Sequence, residues 1–169
     1  MSQLPRPGDW EAPVALPAAL RPRKVLVAFD GSHNAERALS WGVLVAKNNG
    51  AEVAVVVAFD PPLTVRGRGA TYVEAMKSEL HQEALDLAEE AVALLQEQGV
   101  SARGVVIRGD VARGILETAE EEGVDMIIMG RQGVTHEMGD ALDKFRRLMS
   151  GGIAEKVSRH ATVPVLMVV

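Results

Sequence analysis

Cysteine is absent from the 169 residues, which removes disulfides, thiolate nucleophiles and thiolate metal sites together. Aromatic residues reach only 4%, too few for the stacking platforms that hold single-stranded nucleic acid. Positive charge is in deficit, with 18 Lys and Arg against 23 Asp and Glu and a formal net charge of -5. No basic stripe is present to follow a phosphate backbone, so nucleic acid is not an expected partner. No apolar run approaches membrane-spanning length. The start of the chain lacks the basic residues and continuous apolar block of a secretory signal. The expectation is therefore a cytoplasmic protein with no membrane insertion. The histidines, His33, His81, His136 and His160, are scattered without the spacing of a metal site. His81 reads as a surface residue and His160 as a cap on the last helix. Neither a Gly-x-Ser-x-Gly elbow nor a Gly-Lys-[Ser/Thr] phosphate loop occurs. Catalytic and metal-ligating residues are thus expected to be none.

What is present is an ordinary globular composition, 47% hydrophobic and 24% charged, at a length that suits one domain with a short extension. Residues 1–22 hold five of the eight prolines and read as an extended or disordered arm. Residues 23–169 read as the domain. Lys24–Asp30 (KVLVAFD), Glu52–Phe59 (EVAVVVAF) and Ala102–Arg108 (ARGVVIR) are short apolar runs suited to buried strands, as are Asp125–Gly130 (DMIIMG) and Pro164–Val169 (PVLMVV).

Helical patterns separate these runs. Ser32 is placed to cap the first helix, which carries Ala35, Ala38, Leu39, Gly42, Val43 and Ala46 inward and stops at Asn49-Gly50. Tyr72–Gln98 shows a stripe of Val73, Met76, Leu80, Ala84, Leu87, Ala91, Leu94 and Leu95. Gly109-Asp110 opens a third helix with Ile115, Leu116 and Ala119, whose Glu120–Glu122 end reads as a solvated charged face. The alternation of strand and helix implies parallel pairing with right-handed crossovers. Ligands then bind beyond the carboxyl ends of the strands, where strand order reverses.

Two turns would face such a site. One is Asp30-Gly31-Ser32 after the first strand. The other is the stretch from Gly130 and Gly133 to Gly151 and Gly152, where glycines between strand and helix let backbone N–H groups approach an anion. Both turns have a plain structural reading, as a helix cap and a tight turn. Arg66 and Arg68, in a glycine-bearing loop, read first as a solvated connection.

VLVAFDGSHNAERAL, GDVARGILETAEEEGVDMIIMG and GGIAEKVSRHATVPVLMVV, in that order and at those separations, resemble the universal stress protein A family over about residues 23–169. The resemblance implies an α/β fold: an open five-stranded parallel sheet of order 3-2-1-4-5 with helices on both faces, Rossmann-like. It implies an adenine nucleotide, ATP or AMP, with or without Mg²⁺, as ligand, and at most slow hydrolysis. By similarity, Asp30 accepts a hydrogen bond from the nucleoside, with Ala28 and Ser32 beside it. The backbone of Ala58 faces the adenine edge. Met129, Gly130 and Gly133 pass close to ribose and phosphates, and Gly151 and Gly152 hold the phosphate end.

The sequence departs from the family's G-x2-G-x9-G-[ST] signature in two ways. Seventeen residues lie between Gly133 and Gly151, and Gly152 stands where a hydroxyl residue is expected. The extra residues, around Val134–Asp143, bring Glu137, Asp140 and Asp143, with Lys144, Arg146 and Arg147 following. An alternative follows: a member that does not bind nucleotide and captures an unidentified protein partner through this insert. The order 3-2-1-4-5 makes the last strand an edge. Its apolar Pro164–Val169 invites another chain, and the resemblance implies a homodimer there.

Overall fold

The computed structural model describes residues 21–60, 70–131 and 152–169. Five parallel strands form one sheet: β1 Lys24–Ala28, β2 Glu52–Phe59, β3 Ala102–Arg108, β4 Met126–Gly130 and β5 Val165–Val168, in the order β3-β2-β1-β4-β5. The helices are α1 His33–Asn49, α2 Ala70–Glu97, α3 Val111–Glu121 and α4 Ile153–His160. The α/β architecture and strand order match the expectation. The arm through residue 20, the loop of Arg66 and Arg68, Gly133, Gly151 and the 134–143 insert lie outside the described residues.

The central strands β1, β2 and β4 are buried from both sides, which is why they read as continuous apolar runs, while the edge strands β3 and β5 are only partly covered. Alternate residues point to opposite faces. Val25, Val27, Val53, Val55, Val57 and Ile128 join α1 and α2 in one core. Leu26, Val56, Ile127 and Met129 join α3 and α4 in the other. Helix ends follow local chemistry. Gly50 takes the left-handed conformation (φ 67°) and its N–H reaches the Ala46 carbonyl, a cap that side chains with a Cβ rarely adopt. Asp110 caps α3, accepting from the Arg113 N–H at 3.3 Å.

Several boundaries and surfaces differ from the sequence reading. β1 stops at Ala28, opposite Val56 and Met129. Phe29 and Asp30 already leave the ladder, although the Phe29 N–H still donates to the Val56 carbonyl at 2.8 Å. Leu94 is 46% exposed, while Ala88 is buried, so the inward stripe of α2 runs through 84, 88, 91 and 95. Glu122 is not simply solvated. Its carboxylate pairs with Lys24 at 3.4 Å and with Arg103, drawing the end of α3 to the starts of β1 and β3. The His81 ring is exposed, as expected, and lies 5.2 Å from the Phe59 ring at a tilt of 57°. His160 does bond the helix end, its Nδ1 lying 2.9 Å from the Lys156 carbonyl oxygen.

Asp125 begins no strand. Its carboxylate accepts the Arg23 and Lys24 N–H groups at 2.7 and 3.0 Å and fastens the entry to β1 beside β4. Charge-assisted bonds of this kind contribute about 1.5–3 kcal/mol when shielded, and less at an exposed site. Asp125→Ala is expected to destabilise the domain by about 1–2 kcal/mol, and Asp125→Asn by less because one acceptor oxygen remains. Urea unfolding of the three proteins checks this ranking. Equal midpoints would show that the two bonds contribute nothing.

Candidate functional site

The strand order places β1 beside β4, and it is between these two that the sheet reverses direction of winding. Their carboxyl ends are level to within one residue: Ala28, the last of β1, stands opposite Met129, and β4 ends one residue on at Gly130. β2 continues further: Val56 stands opposite Ala28, and Ala58 lies two residues beyond it. That raises Ala58 about 7 Å above the end of β1. A step therefore forms at this edge, with β2 as its tall side.

Asp30 stands on the step. Gly31 follows with φ 74°, a left-handed turn that redirects the chain into α1. The Asp30 carboxylate accepts the Ser32 N–H at 3.1 Å and is exposed. Buried Ser32 then accepts the Ala35 N–H on its hydroxyl at 3.2 Å and the Glu36 N–H on its carbonyl at 2.9 Å. Ser32 is thus committed to the helix cap. The first turn of α1 holds the acid at the sheet edge.

On the β4 side, Met129 is buried beneath the edge and Gly130 is half-buried, opposite Val168. Exposed Arg131 continues the ladder, its N–H donating to the Val168 carbonyl at 2.8 Å. Gly152 is the N-cap of α4 and offers no side-chain cap bond, so no side chain of its own occupies the amides of that first turn. Of the nine residues expected at the site, Ala28, Asp30, Ser32, Ala58, Met129, Gly130 and Gly152 are described, all at the ends or immediate continuations of strands or at a helix start. Gly133 and Gly151 lie outside the described residues.

The sequence reading gave Arg131 and Asp110 no part in the site, although both follow strand ends. The signal for Arg131 was its place directly after Gly130. Further along the edge, Lys77 donates to Glu74 at 2.7 Å. That bond and charge, with Arg108 adding to them, hold the Glu74 carboxyl below its ordinary range. A separate cleft of about 440 Å³ lies between α3 and α4, floored by Leu116, Ile127 and Val163 and rimmed by Arg113, Lys156 and His160. It includes none of the predicted site residues. On its rim, Glu117 accepts from Arg113 at 2.7 Å and raises the guanidinium further above its ordinary value. Among the described residues no group of three or more His, Asp or Glu is placed to hold a metal ion. None of their helices is long and apolar enough to cross a membrane.

The sequence profile of the universal stress protein family matches residues 22–169. Universal stress protein YxiE of Bacillus subtilis is 32% identical over 152 residues, covering 86% of this chain and 97% of its own. UspA of Lactobacillus plantarum has a solved structure that superposes with a TM-score of 0.73 at 17% identity, over 88% of this chain and 99% of that one. A universal stress protein solved in complex with cAMP superposes at 0.64 with 20% identity, over 88% and 98% of the two chains. One from Archaeoglobus fulgidus, in complex with dAMP, superposes at 0.60 with 21% identity, over 86% and 97%.

Proposed function

The chain belongs to the universal stress protein family, and from that premise we propose that it is an adenine-nucleotide-binding member acting as a dimeric signalling protein rather than as an enzyme. The observation that carries this reading is the step at the β1–β4 edge. An exposed carboxylate, Asp30, a raised strand end at Ala58, and a glycine-bordered helix start at Gly152 all stand at the carboxyl-end edge of the sheet. Ligands of open α/β sheets bind there. Two solved family members hold cAMP and dAMP, both adenine nucleotides.

In this reading Asp30 accepts a hydrogen bond from the nucleoside, and the Ala58 backbone meets the adenine edge. Ala28 and Met129 form the floor, with Ser32 holding the turn. Gly130 and Gly133 let the chain pass ribose and phosphates. Gly151 and Gly152 give amides to the phosphate end, where the helix start favours an anion. ATP and AMP, with or without Mg²⁺, are the ligands proposed. The domain is residues 23–169, the arm residues 1–22, and the dimer forms through Pro164–Val169. The missing hydroxyl at Gly152 removes one bond to an anionic oxygen, worth about 1.5–3 kcal/mol, and so favours the shorter nucleotide.

Calorimetric titration with ATP, ADP, AMP and cAMP, with and without Mg²⁺, tests the reading, together with chromatography of any nucleotide released on denaturation. Asp30→Ala is expected to weaken binding at least tenfold, about 1.4 kcal/mol. Asp30→Asn keeps an acceptor oxygen for Ser32 and separates loss of the ligand bond from loss of the turn. If no nucleotide gives heat and none is released, the nucleotide reading fails.

A second reading rests on the spacing of seventeen residues between Gly133 and Gly151. Here the 134–143 insert binds a protein partner and nucleotide is not bound. Deletion of residues 134–141 restores the family's nine-residue spacing. This reading requires the deletion to abolish partner capture, and unchanged capture rejects it.

A further inference from the structure

This inference rests on the dimer reading above and concerns what completes that contact. β5 is an edge strand with no charged residue, and Met167 and Val169 are 44% and 57% exposed. By itself it is too small for a stable interface. Four residues extend about 13 Å, while stable pairs bury roughly 1,200–2,000 Å² in total. The contact must take in what flanks the strand.

On one face the flank is α1, whose buried residues Ala35, Ala38, Leu39, Gly42 and Ala46 define the side facing the sheet. At about 100° per residue, Lys47 falls about 120° to one side of that direction. Its ammonium donates to the Gln98 side chain at 3.4 Å, which marks that side as the one toward α2. Trp41 falls roughly 120° to the other side, toward β5, and Leu44 points outward. Leu166 and Val168 of β5 pack in the same core as α1, so the helix and the edge strand form one continuous surface. Trp41 is 44% exposed and Leu44 48%. Large apolar side chains side by side on a surface mark contact sites.

Geometry selects the occupant. Antiparallel pairing of two β5 strands about a two-fold axis normal to the sheet keeps α1 and its copy on the same face. α1 lies over β1 and β4. Centred between β1 and β4, the two helices then stand about four strand spacings apart, about 19 Å. Packed helices approach to 8–10 Å. The remaining ~10 Å is a width that small side chains leave open and that a tryptophan from each copy fills. We propose that Trp41, backed by Leu44, anchors the second half of the dimer contact, and that the occupant of this flank is the same flank of a second copy of the chain. The tryptophan supplies a rigid apolar anchor of the kind that dominates interface energetics.

Sedimentation velocity of the full chain over a concentration series tests this, with thermal melts confirming that each variant folds. Wild type is expected to dimerise. Trp41→Ala is expected to raise the dimer dissociation constant about 30-fold or more, the factor that corresponds to a hot-spot side chain. Trp41→Arg is expected to raise it further. In a Trp10→Phe background, the emission of Trp41 should shift to the red as the protein is diluted through dissociation. A wild-type dimer with an unchanged constant in Trp41→Ala, and no emission shift, overturns the Trp41 anchor and leaves the edge pairing standing. A wild type that is monomeric at every concentration overturns the edge pairing, and the anchor with it.

Discussion

Met167→Pro is expected to leave the fold intact and abolish dimerisation. The reason is the parity of the edge strand. In a parallel ladder, a residue's N–H and C=O point to the same side. The Ile127 and Arg131 N–H groups donate to the carbonyls of Pro164 and Val168 at 2.9 and 2.8 Å. Positions 164, 166 and 168 therefore face β4, and Val165, Met167 and Val169 turn their backbone groups to the open edge. Proline at 167 removes an outward N–H and places its ring where a partner strand would pair, while every bond to β4 survives. Met167 is 44% exposed, so only part of its side chain is packed and the packing loss is moderate. The expected result is a monomer with a melting temperature close to that of the wild type when both are monomeric. Leu166→Pro is the contrast: it removes a ladder bond to β4 and should lower the melting temperature clearly below that of the wild type. Light scattering after size-exclusion chromatography reads both outcomes. A Met167→Pro protein that remains a dimer would place the contact elsewhere.

Gly42→Leu is expected to destabilise the packing of α1 on the sheet strongly. Gly42 sits mid-helix, where glycine costs about 1 kcal/mol relative to alanine, so propensity alone predicts that any larger residue would help. Packing reverses the sign. A Cβ built at Gly42 would lie 2.8 Å from Cγ2 of Val27, a side chain with no exposed surface in the centre of β1. A β-branched residue locked between two neighbouring strands has no free rotamer to retreat to. Gly42→Ala is expected to destabilise to a smaller extent, as the close contact with Val27 outweighs a gain in helix propensity of about 1 kcal/mol. Gly42→Leu adds three further carbons to a filled space and should cost about 3 kcal/mol, at the upper end of overpacking effects. At 2–4 °C per kcal/mol for a chain of this size, the melting temperature falls by about 6–12 °C. A melt within two degrees or so of the wild type would show that α1 can move off the sheet at little cost.

The two substitutions show where sequence and tertiary structure divide the information. Sequence patterns located all five strands to within two residues; for β1, β2 and β4 the reason is that a strand buried on both faces must be apolar throughout. They located the helix stops at Gly50 and Gly123 because a left-handed turn there favours glycine. The Asp30-Gly31-Ser32 turn was legible for the same reason: its cap chemistry is local. The shared family motifs supplied the strand order, which periodicity alone left open.

Other features were not legible because they depend on residues distant in the chain. Asp125 looked like the first residue of a strand; that it holds the Arg23 and Lys24 amides depends on β1 lying beside β4. Glu122 looked like one of three solvated acids, until the sheet brought Lys24 and Arg103 to it. Leu94 fitted the helical stripe but faces outward, since helix rotation over the sheet is set by which side chains fill the groove below. The sequence by itself determined the elements, their caps and the residues that stand at strand ends, all through interactions within a few positions. Only the tertiary structure decided that Ala28 stands level with Met129, that Ala58 rises above them, and that Trp41 stays on the surface. Register and helix rotation are set by contacts between residues far apart in the chain, and no local pattern encodes them.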